Sequence, residues 1–499
     1  MSKSSVIIIG AGLGGLSTGI YAQLNGYQCT IFEHGRHPGG VAAQWKRQGY
    51  SIDGGIHFYM GYRPGQPDHS LYRQLGIDQP DQFQEILNYG RFVDAANGRK
   101  IDITQDLDAV AANMKRISPQ DTTFIEKFFK GAKAFRGSKF VASMQKPPDM
   151  NRWWDTLKMM FNMRKTLRYY TGWYMQPMDT VVAELHDPWL KYVFRNLFLP
   201  EVPVVFVMII LGALADGNMA VRRDGSGGFA RALEKRFLDL GGQVEYASTV
   251  DKILIEKDQA VGVCLSNGDS HHADHIVSAA DGHSTLYDLL EGRCLTPELQ
   301  KLHAEWPLFK PVVLINYGVA RSFTHEPSIM MLKPKTQIKA GYLDSDCWVV
   351  RIFNYSPDAA PAGKTVLQVM IESQWHAWKD IREDKQAYNA EKEKLARQVL
   401  SGLNAVWPGI AEQVDMTNVA TPYTWWRYTR NRQGAFEGFA ITDKIFSSPV
   451  KRTLPNLDNF YMAGQWVVPG GGVLATLMSG KHAAMLICRR DAKSFNAHL

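Results

Sequence analysis

The chain is poor in the residues that build metal and thiol chemistry. Five of its 499 residues are cysteine (Cys29, Cys264, Cys294, Cys347 and Cys488), and no two of them form a C-x-x-C pair. Zinc sites need closely spaced ligand pairs, so no metal is expected; scattered free thiols fit a reducing, cytoplasmic compartment. Long hydrophobic spans are also missing. The longest apolar run, Val202 to Ala215 (VPVVFVMIILGALA), falls short of the ~20 residues that cross a bilayer and reads as a buried helix or the wall of a greasy tunnel. The net charge of +7 comes with no dense basic cluster, which argues against nucleic acid and permits contact with anionic lipid. No spacing of residues marks a nucleophile–base pair, and there is no tandem repeat or low-complexity linker. Val6 already reads as core, so no signal peptide is expected.

What is present is concentrated at the start. Val6-Ile7-Ile8-Ile9 reads as a buried parallel strand and runs into Gly10-Ala11-Gly12-Leu13-Gly14-Gly15, the turn into a helix. Gly10 permits the tight turn, Gly12 lets backbone approach a pyrophosphate, Gly14 belongs to the same turn, and Gly15 lets the helix pack closely. The helix N-terminus offers free N–H groups and a positive dipole end to phosphates. Glu33 ends a second strand, Cys29 to Phe32, about 20 residues on, where a carboxylate accepts from ribose hydroxyls. Strand, glycines, helix, strand and terminal acid in that order point to an adenine dinucleotide. Gly39-Gly40 and Asp53-Gly54-Gly55 follow, and adjacent glycines again let backbone lie against a long cofactor.

This ordered set resembles the flavoprotein superfamily that includes bacterial phytoene desaturases, carotenoid isomerases, retinol saturases and, more distantly, amine oxidases. The resemblance implies noncovalent FAD. It puts Glu33 on the adenosine ribose, Gly39 and Gly40 along the pyrophosphate and ribityl chain, and the Asp53-Gly54-Gly55 turn near the flavin. The middle of the chain repeats the theme at Asp224-Gly225-Ser226-Gly227-Gly228, before a helix expected over Ala230 to Leu240 and strands from Gln243, Val250, Val261 and Ala273. In the family this block completes the flavin domain, with backbone at the Val250 position on adenine. At the C-terminus a strand, Asn459 to Ala463, leads through Gly464-Gln465 and Pro469-Gly470-Gly471-Gly472 to a helix beginning near Val473. That helix N-terminus suits the pyrimidine edge of a reduced flavin, which carries negative charge. Relatives commonly have an acid where this chain has Gln465; an amide can still bond a ribityl hydroxyl.

The length exceeds the ~250–300 residues at which one core splits, so at least two domains are expected. The fold class is α/β: a discontinuous Rossmann-like FAD domain (1–65, 220–300 and 435–499) with an α+β substrate domain (66–219 and 301–434). Strands are expected at Pro311 to Ile315 and Thr365 to Ile371, and a helix at Ala387 to Leu403. Residues 150–215 form a candidate membrane-associating helical region. Within it, Trp153 to Met175 laid on one helix places Trp153, Leu157, Met160, Phe161, Met163, Leu167, Tyr170 and Tyr174 on one face, with Lys158, Asn162 and Lys165 opposite. Two readings stay open: a helix lying in a lipid interface, or an amphipathic helix covering the substrate-domain core.

The resemblance implies a lipophilic polyene or isoprenoid substrate, altered at C–C or C=C bonds by desaturation, saturation or cis/trans isomerisation. Flavin supplies the difficult electronics of such chemistry, and the protein supplies alignment and dryness. His57 is the one catalytic candidate beside the flavin, and reads more readily as a turn histidine bonded to backbone. Trp425 to Arg432 could cap the substrate pocket, bind a polar end group, or form a solvated basic loop. Two alternatives remain: a flavin amine oxidase, and a non-enzymatic escort of prenylated GTPases. Glu33, Gly39-Gly40 and the Gly464 to Gly472 region argue against the second.

Overall fold

Strand Ser5–Ile9 sits at the centre of a five-stranded, all-parallel sheet. In the computed structural model, which describes residues 4–66, 68–138, 145–338, 342–343, 345–443 and 450–497, the sheet order is Gln243–Glu245, Gln28–Phe32, Ser5–Ile9, His275–Ser278 and Phe460–Met462. A parallel sheet is buried on both faces, so its strands read as continuous apolar runs, and Val6 to Ile9 are all buried. Helices Leu13–Leu24, Gly225–Asp239 and Val473–Arg490 pack against this sheet region. Two of these helices meet through glycine: a Cβ at Gly480 would lie 2.6 Å from the Gly14 carbonyl oxygen, and the Ser17 hydroxyl donates to Leu477 O at 2.7 Å.

The middle block forms an antiparallel meander, Val250–Glu256, Gln259–Leu265 and Ser270–His272, with Gly268 (φ +92°) in the second turn. Its helix starts at Gly225 (φ +71°), five residues before the expected Ala230, because Gly227 and Gly228 lie inside it and serve packing. Added Cβ atoms at Gly225 and Gly227 would run into Asp53 and Gln44 of the hairpin Gln44–Arg47/Tyr50–Asp53. This glycine cluster clamps helix to hairpin and does not repeat the nucleotide turn.

A second, seven-stranded sheet has the order Val414–Ala420, Val312–Val319, Thr365–Glu372, Trp348–Ile352, Ile329–Lys333, Asn88–Asp94, Lys100–Thr104. All neighbours are antiparallel except Ile329–Lys333 with Asn88–Asp94. Helix Lys385–Val406 covers one face, burying Leu395, Val399 and Leu403 against it. The run from Val202 becomes helix Val204–Ala215, apolar on every side and largely buried. It closes on helix Thr122–Ala134 through Gly212 and Gly131, where Cβ atoms would lie 2.8 Å from Phe135 Cβ and 2.5 Å from Met208 Sδ.

The stretch from Trp153 departs from the single helix expected of it. Helix Trp153–Met163 ends, and two 3₁₀ turns follow, Leu167–Tyr170 and Gly172–Met175, with Gly172 at φ +58°. Tyr169 is buried and its ring meets Tyr174 edge-on at 4.8 Å, so the second half faces the core. No residue of helix Trp153–Met163 is buried: Trp153 is 70% exposed, Phe161 64% and Leu157 55%. Among the described residues no helix is long and apolar enough to cross a membrane.

Candidate functional site

One cavity of about 760 Å³ runs from the glycine turn after the first strand to helix Val204–Ala215. At its nucleotide end the chain builds a slot from backbone. Gly10 takes φ +98°, and Gly15 packs so tightly that a Cβ would fall 2.0 Å from Gly10 O. A Cβ on Gly12 would meet nothing within 4 Å, so the helix start there faces open space. Gly39 donates to Ala11 O at 2.9 Å, and with Gly40 (φ +60°) folds back over Gly12. Glu33, buried, accepts from Ala11 N and Gly35 N, each at 2.6 Å, and burial holds its carboxyl above the usual carboxylate range despite those bonds. Val250 lines the same end.

Two long helices point uncapped N-termini into this cavity. Helix Leu13–Leu24 begins behind Gly12 and helix Val473–Arg490 behind Gly472, neither with a capping side chain nor an acid in its first turn. Elsewhere Asp106, Asp187, Thr296, Asp384 and Thr421 cap the helices that follow them. First-turn N–H groups left free beside a cavity favour anionic oxygens of a ligand. Gly464 (φ +90°) donates to Ser479 Oγ at 2.7 Å, and Gly14 packs on it, since a Cβ there would lie 2.6 Å from Gly464 Cα. Gln465, Gly472 and Val473 line the cavity.

The other end is apolar. Phe206, Ile209 and Ile210 of helix Val204–Ala215 face it, together with Phe198, Val349 and Met370. Its charged side chains are tied up: Lys310 bridges Glu201 at 2.6 Å and Glu372 at 3.2 Å, and Arg195 pairs with Asp179 at 2.6 Å and Asp346 at 3.2 Å. Burial pushes the Cys347 thiol up to about 12, so no thiolate nucleophile is at hand there. Among the described residues no group of three His, Cys, Asp or Glu could hold a metal ion.

Of the residues singled out from sequence, Gly10, Gly12, Gly14, Glu33, Gly39, Gly40, Gly55, His57, Val250, Gly464, Gln465, Gly472 and Val473 all line the cavity. Gly15, Asp53 and Gly54 stand behind it. Asp53 accepts from Ser226 N at 2.5 Å and Ser226 Oγ at 2.7 Å and pairs with buried Arg351 at 3.5 Å, so it ties the hairpin to helix Gly225–Asp239 and to the second sheet. The Gly54 N–H donates to Ala43 O at 2.7 Å within the hairpin. His57 lowers to about 3, first by burial and then by the Arg351 charge; it is neutral near pH 7 and a weak base. The segment from Trp425 reaches the rim: Trp426, Tyr428, Thr429 and Arg430 line the cavity, and Arg430 Nε donates to His34 Nε2 at 3.3 Å. Glu437, which also lines the cavity, carries no signal in the sequence; it is an acid in a loop whose position only the tertiary fold reveals.

The cavity's backbone slot, its two bare helix ends and its open Gly12 fit a long dinucleotide. Comparison with known proteins agrees. The chain is 24% identical to prolycopene isomerase, chloroplastic, of Arabidopsis thaliana, over 96% of this chain and 82% of that protein. It is 26% identical to the phytoene desaturase (neurosporene-forming) of Rhodobacter capsulatus, over 98% of this chain and 95% of that protein. Its fold is shared with an oxidoreductase from Methanosarcina mazei (TM-score 0.61, 17% identity, 97% of this chain and 100% of that one). It is also shared with a variant of putrescine oxidase (TM-score 0.63, 12% identity, 98% and 99%). The model of one family, flavin containing amine oxidoreductase, matches residues 13–488, which take in almost the whole cavity lining. The chain therefore belongs to the flavin containing amine oxidoreductase family and is an FAD-dependent oxidoreductase.

Proposed function

We propose that this oxidoreductase acts on C–C and C=C bonds of a lipophilic polyene or isoprenoid, by desaturation or cis/trans isomerisation. The observation that carries the reading is the continuity of the cavity: an apolar chamber walled by helix Val204–Ala215 opens directly onto the glycine slot. Such a chamber, with Lys310 and Arg195 already paired, rewards burial of hydrocarbon and, at its apolar end, holds neither cation free for a polar substrate. The named activities of the desaturase and isomerase relatives support the same class. Residues 1–65, 220–300 and 435–499 form the cofactor domain in this reading, and 66–219 with 301–434 the substrate domain. Lipid extracted from the purified protein and identified by mass is expected to be an isoprenoid or polyene; a uniformly polar extract would overturn the reading.

In the slot, Gly10, Gly12, Gly14, Gly39 and Gly40 would lie along the pyrophosphate, Glu33 at the adenosine ribose and Val250 by the adenine. Gly464, Gln465, Gly472 and Val473 would hold the flavin end. Bound FAD supplies the hydride and electron chemistry; the protein's part is to orient the chain, exclude water and manage the proton. Replacing Glu33 with alanine is expected to weaken FAD binding by roughly 1.5–3 kcal/mol, the worth of a hydrogen bond to a charged group. An unchanged FAD dissociation constant would remove Glu33 from the site.

The exposed helix Trp153–Met163 supports docking on a membrane surface. Trp153, Leu157, Met160, Phe161 and the following Leu167 are all at least 42% exposed, with Lys158, Arg164 and Lys165 beside them. Aromatic and aliphatic side chains ringed by cations suit the boundary between acyl chains and anionic headgroups. Liposome flotation is expected to rise with anionic lipid and fall with salt, since exposed charges are screened over ~10 Å at 0.1 M. Changing Lys158 and Lys165 together to glutamate should reduce flotation. Wild-type protein that floats with no lipid would end the proposal.

A further inference from the structure

Six acidic residues line the cavity: Glu33, Asp251, Asp281, Asp288, Glu372 and Glu437. Five have partners. Glu33 accepts from two backbone N–H groups, Asp251 from Ser266 Oγ at 2.9 Å, and Asp288 from Ser284 Oγ at 2.6 Å. Asp281 accepts from Ser284 N at 2.8 Å and Arg432 N at 2.7 Å, and Glu372 from Lys310 at 3.2 Å. Among the described residues, nothing donates to Glu437.

The backbone around Glu437 is fixed on every side. Asn431 Nδ2 donates to Ala435 O at 3.2 Å, Phe309 N to Gly438 O at 2.8 Å, and Gly470 N to Phe439 O at 2.7 Å. Trp466 Nε1 donates to Asn431 Oδ1 at 3.1 Å. These bonds set Glu437 against the turn that starts helix Val473–Arg490: a Cβ on Gly471 would lie 3.0 Å from Glu437 Cβ. A half-buried acid on so fixed a loop, lining the reaction cavity with no internal partner among the described residues, is poorly explained as a structural element, because it contributes no hydrogen bond to the fold.

We propose that Glu437 is the carboxyl that exchanges a proton with the substrate chain. The proposal rests on the polyene reading above. In the desaturating direction bound FAD would take up hydrogen with its electron pair from one carbon, and the neighbouring carbon would lose H⁺ to the Glu437 carboxylate. The electron pair left behind becomes the new C=C bond. The resulting carboxylic acid returns its proton to water; saturation is the same step reversed. Burial raises the Glu437 carboxyl to about 7, which lets it hold or release a proton under ordinary conditions. Among the described residues, the titratable groups on the elements packed around it include Lys310, held by Glu201 and Glu372, Arg432, whose Nη1 donates to His303 O at 3.3 Å, Asp281, which accepts from Arg432 N at 2.7 Å, His303, whose ring lies 5.3 Å from Phe439 and which burial lowers to about 4, and neutral His57.

Two readouts test this on the FAD-loaded protein. Infrared difference spectra taken across neutral pH should show a protonated-carboxyl carbonyl band that fades as pH rises through about 7, absent from Glu437→Gln. In anaerobic single turnover with a polyene, flavin reduction by the parent should quicken with pH and level off above about 7. Glu437→Gln, with FAD content and melting temperature matching the parent, should be slower by ~10²–10⁴-fold and flat with pH, and Glu437→Asp should restore part of the rate and the pH dependence. A Gln variant that reduces flavin at the parental rate, or a parent lacking the titrating band, overturns the role of Glu437. A titrating band in a parent that no polyene reduces overturns the substrate reading and the transfer to a substrate carbon with it, and leaves the carboxyl's titration established.

Discussion

Replacing Gly15 with alanine is expected to cost the protein both its flavin and much of its stability, whereas Gly12→Ala should cost the flavin alone. At Gly15 the new methyl would overlap Gly10 O at 2.0 Å, and neither backbone segment can retreat, since one starts a buried helix and the other is pinned by Gly10 N donating to Phe32 O at 2.8 Å. Overpacking of this kind costs about 1–3 kcal/mol or more and displaces the turn that forms the slot. At Gly12 a methyl meets no protein atom within 4 Å, so the fold has no cause to suffer. It would occupy the space where backbone must approach a pyrophosphate. Melting temperatures of the two apo variants, with their FAD dissociation constants, check this pair. An apo Gly12→Ala protein with wild-type FAD affinity would contradict the assignment of that space to the cofactor.

Ile209→Asp should lower kcat/KM for a polyene about a hundredfold while sparing flavin. Ile209 lines the apolar end of the cavity from helix Val204–Ala215 and is only partly buried by protein, so its side chain can be exchanged without opening the core beneath. A carboxylate there meets hydrocarbon, and the two cations of the apolar end, Lys310 and Arg195, are already engaged. Desolvating it against a substrate chain costs several kcal/mol; on the order of 3 kcal/mol in the transition state is about a hundredfold in kcat/KM. Steady-state kinetics with the extracted lipid, alongside the visible spectrum of the bound flavin, reads both halves. Unchanged kcat/KM would remove helix Val204–Ala215 from the substrate path.

How much of this was legible in the sequence follows from how local each feature is. The slot of Gly10, Gly12, Gly15 and Glu33 could be read directly, because strand, turn, helix and second strand are consecutive and each glycine answers to a neighbour within one βαβ unit. The helix at Val204 was legible from length and hydropathy as a buried helix or a tunnel wall; what it faces across the chamber was not, because that depends on strands from the far side of the chain, such as Val349 and Met370. What Asp53 bonds to was hidden for the same reason. A buried acid beside two glycines looks like a ligand contact, and only the fold shows it spent on Ser226 and Arg351, which lie 173 and 298 positions away. The aromatic stretch misled through its period. Helical spacing continues past Met163, but burial of Tyr169 and the φ +58° at Gly172 override it. Glu437 had no local signature, since what distinguishes it is the absence of partners among the described residues in three dimensions.

The central claim, double-bond chemistry on a hydrocarbon chain beside flavin, is tested most directly by anaerobic mixing of the FAD-loaded protein with a polyene on one side and a primary amine on the other. The polyene is expected to bleach the flavin band near roughly 450 nm, or to emerge isomerised when the flavin is first reduced, with its polar groups untouched. The amine is expected to leave the spectrum unchanged. Rapid bleaching by the amine, with no change in the flavin or in the double bonds of any polyene, would contradict it.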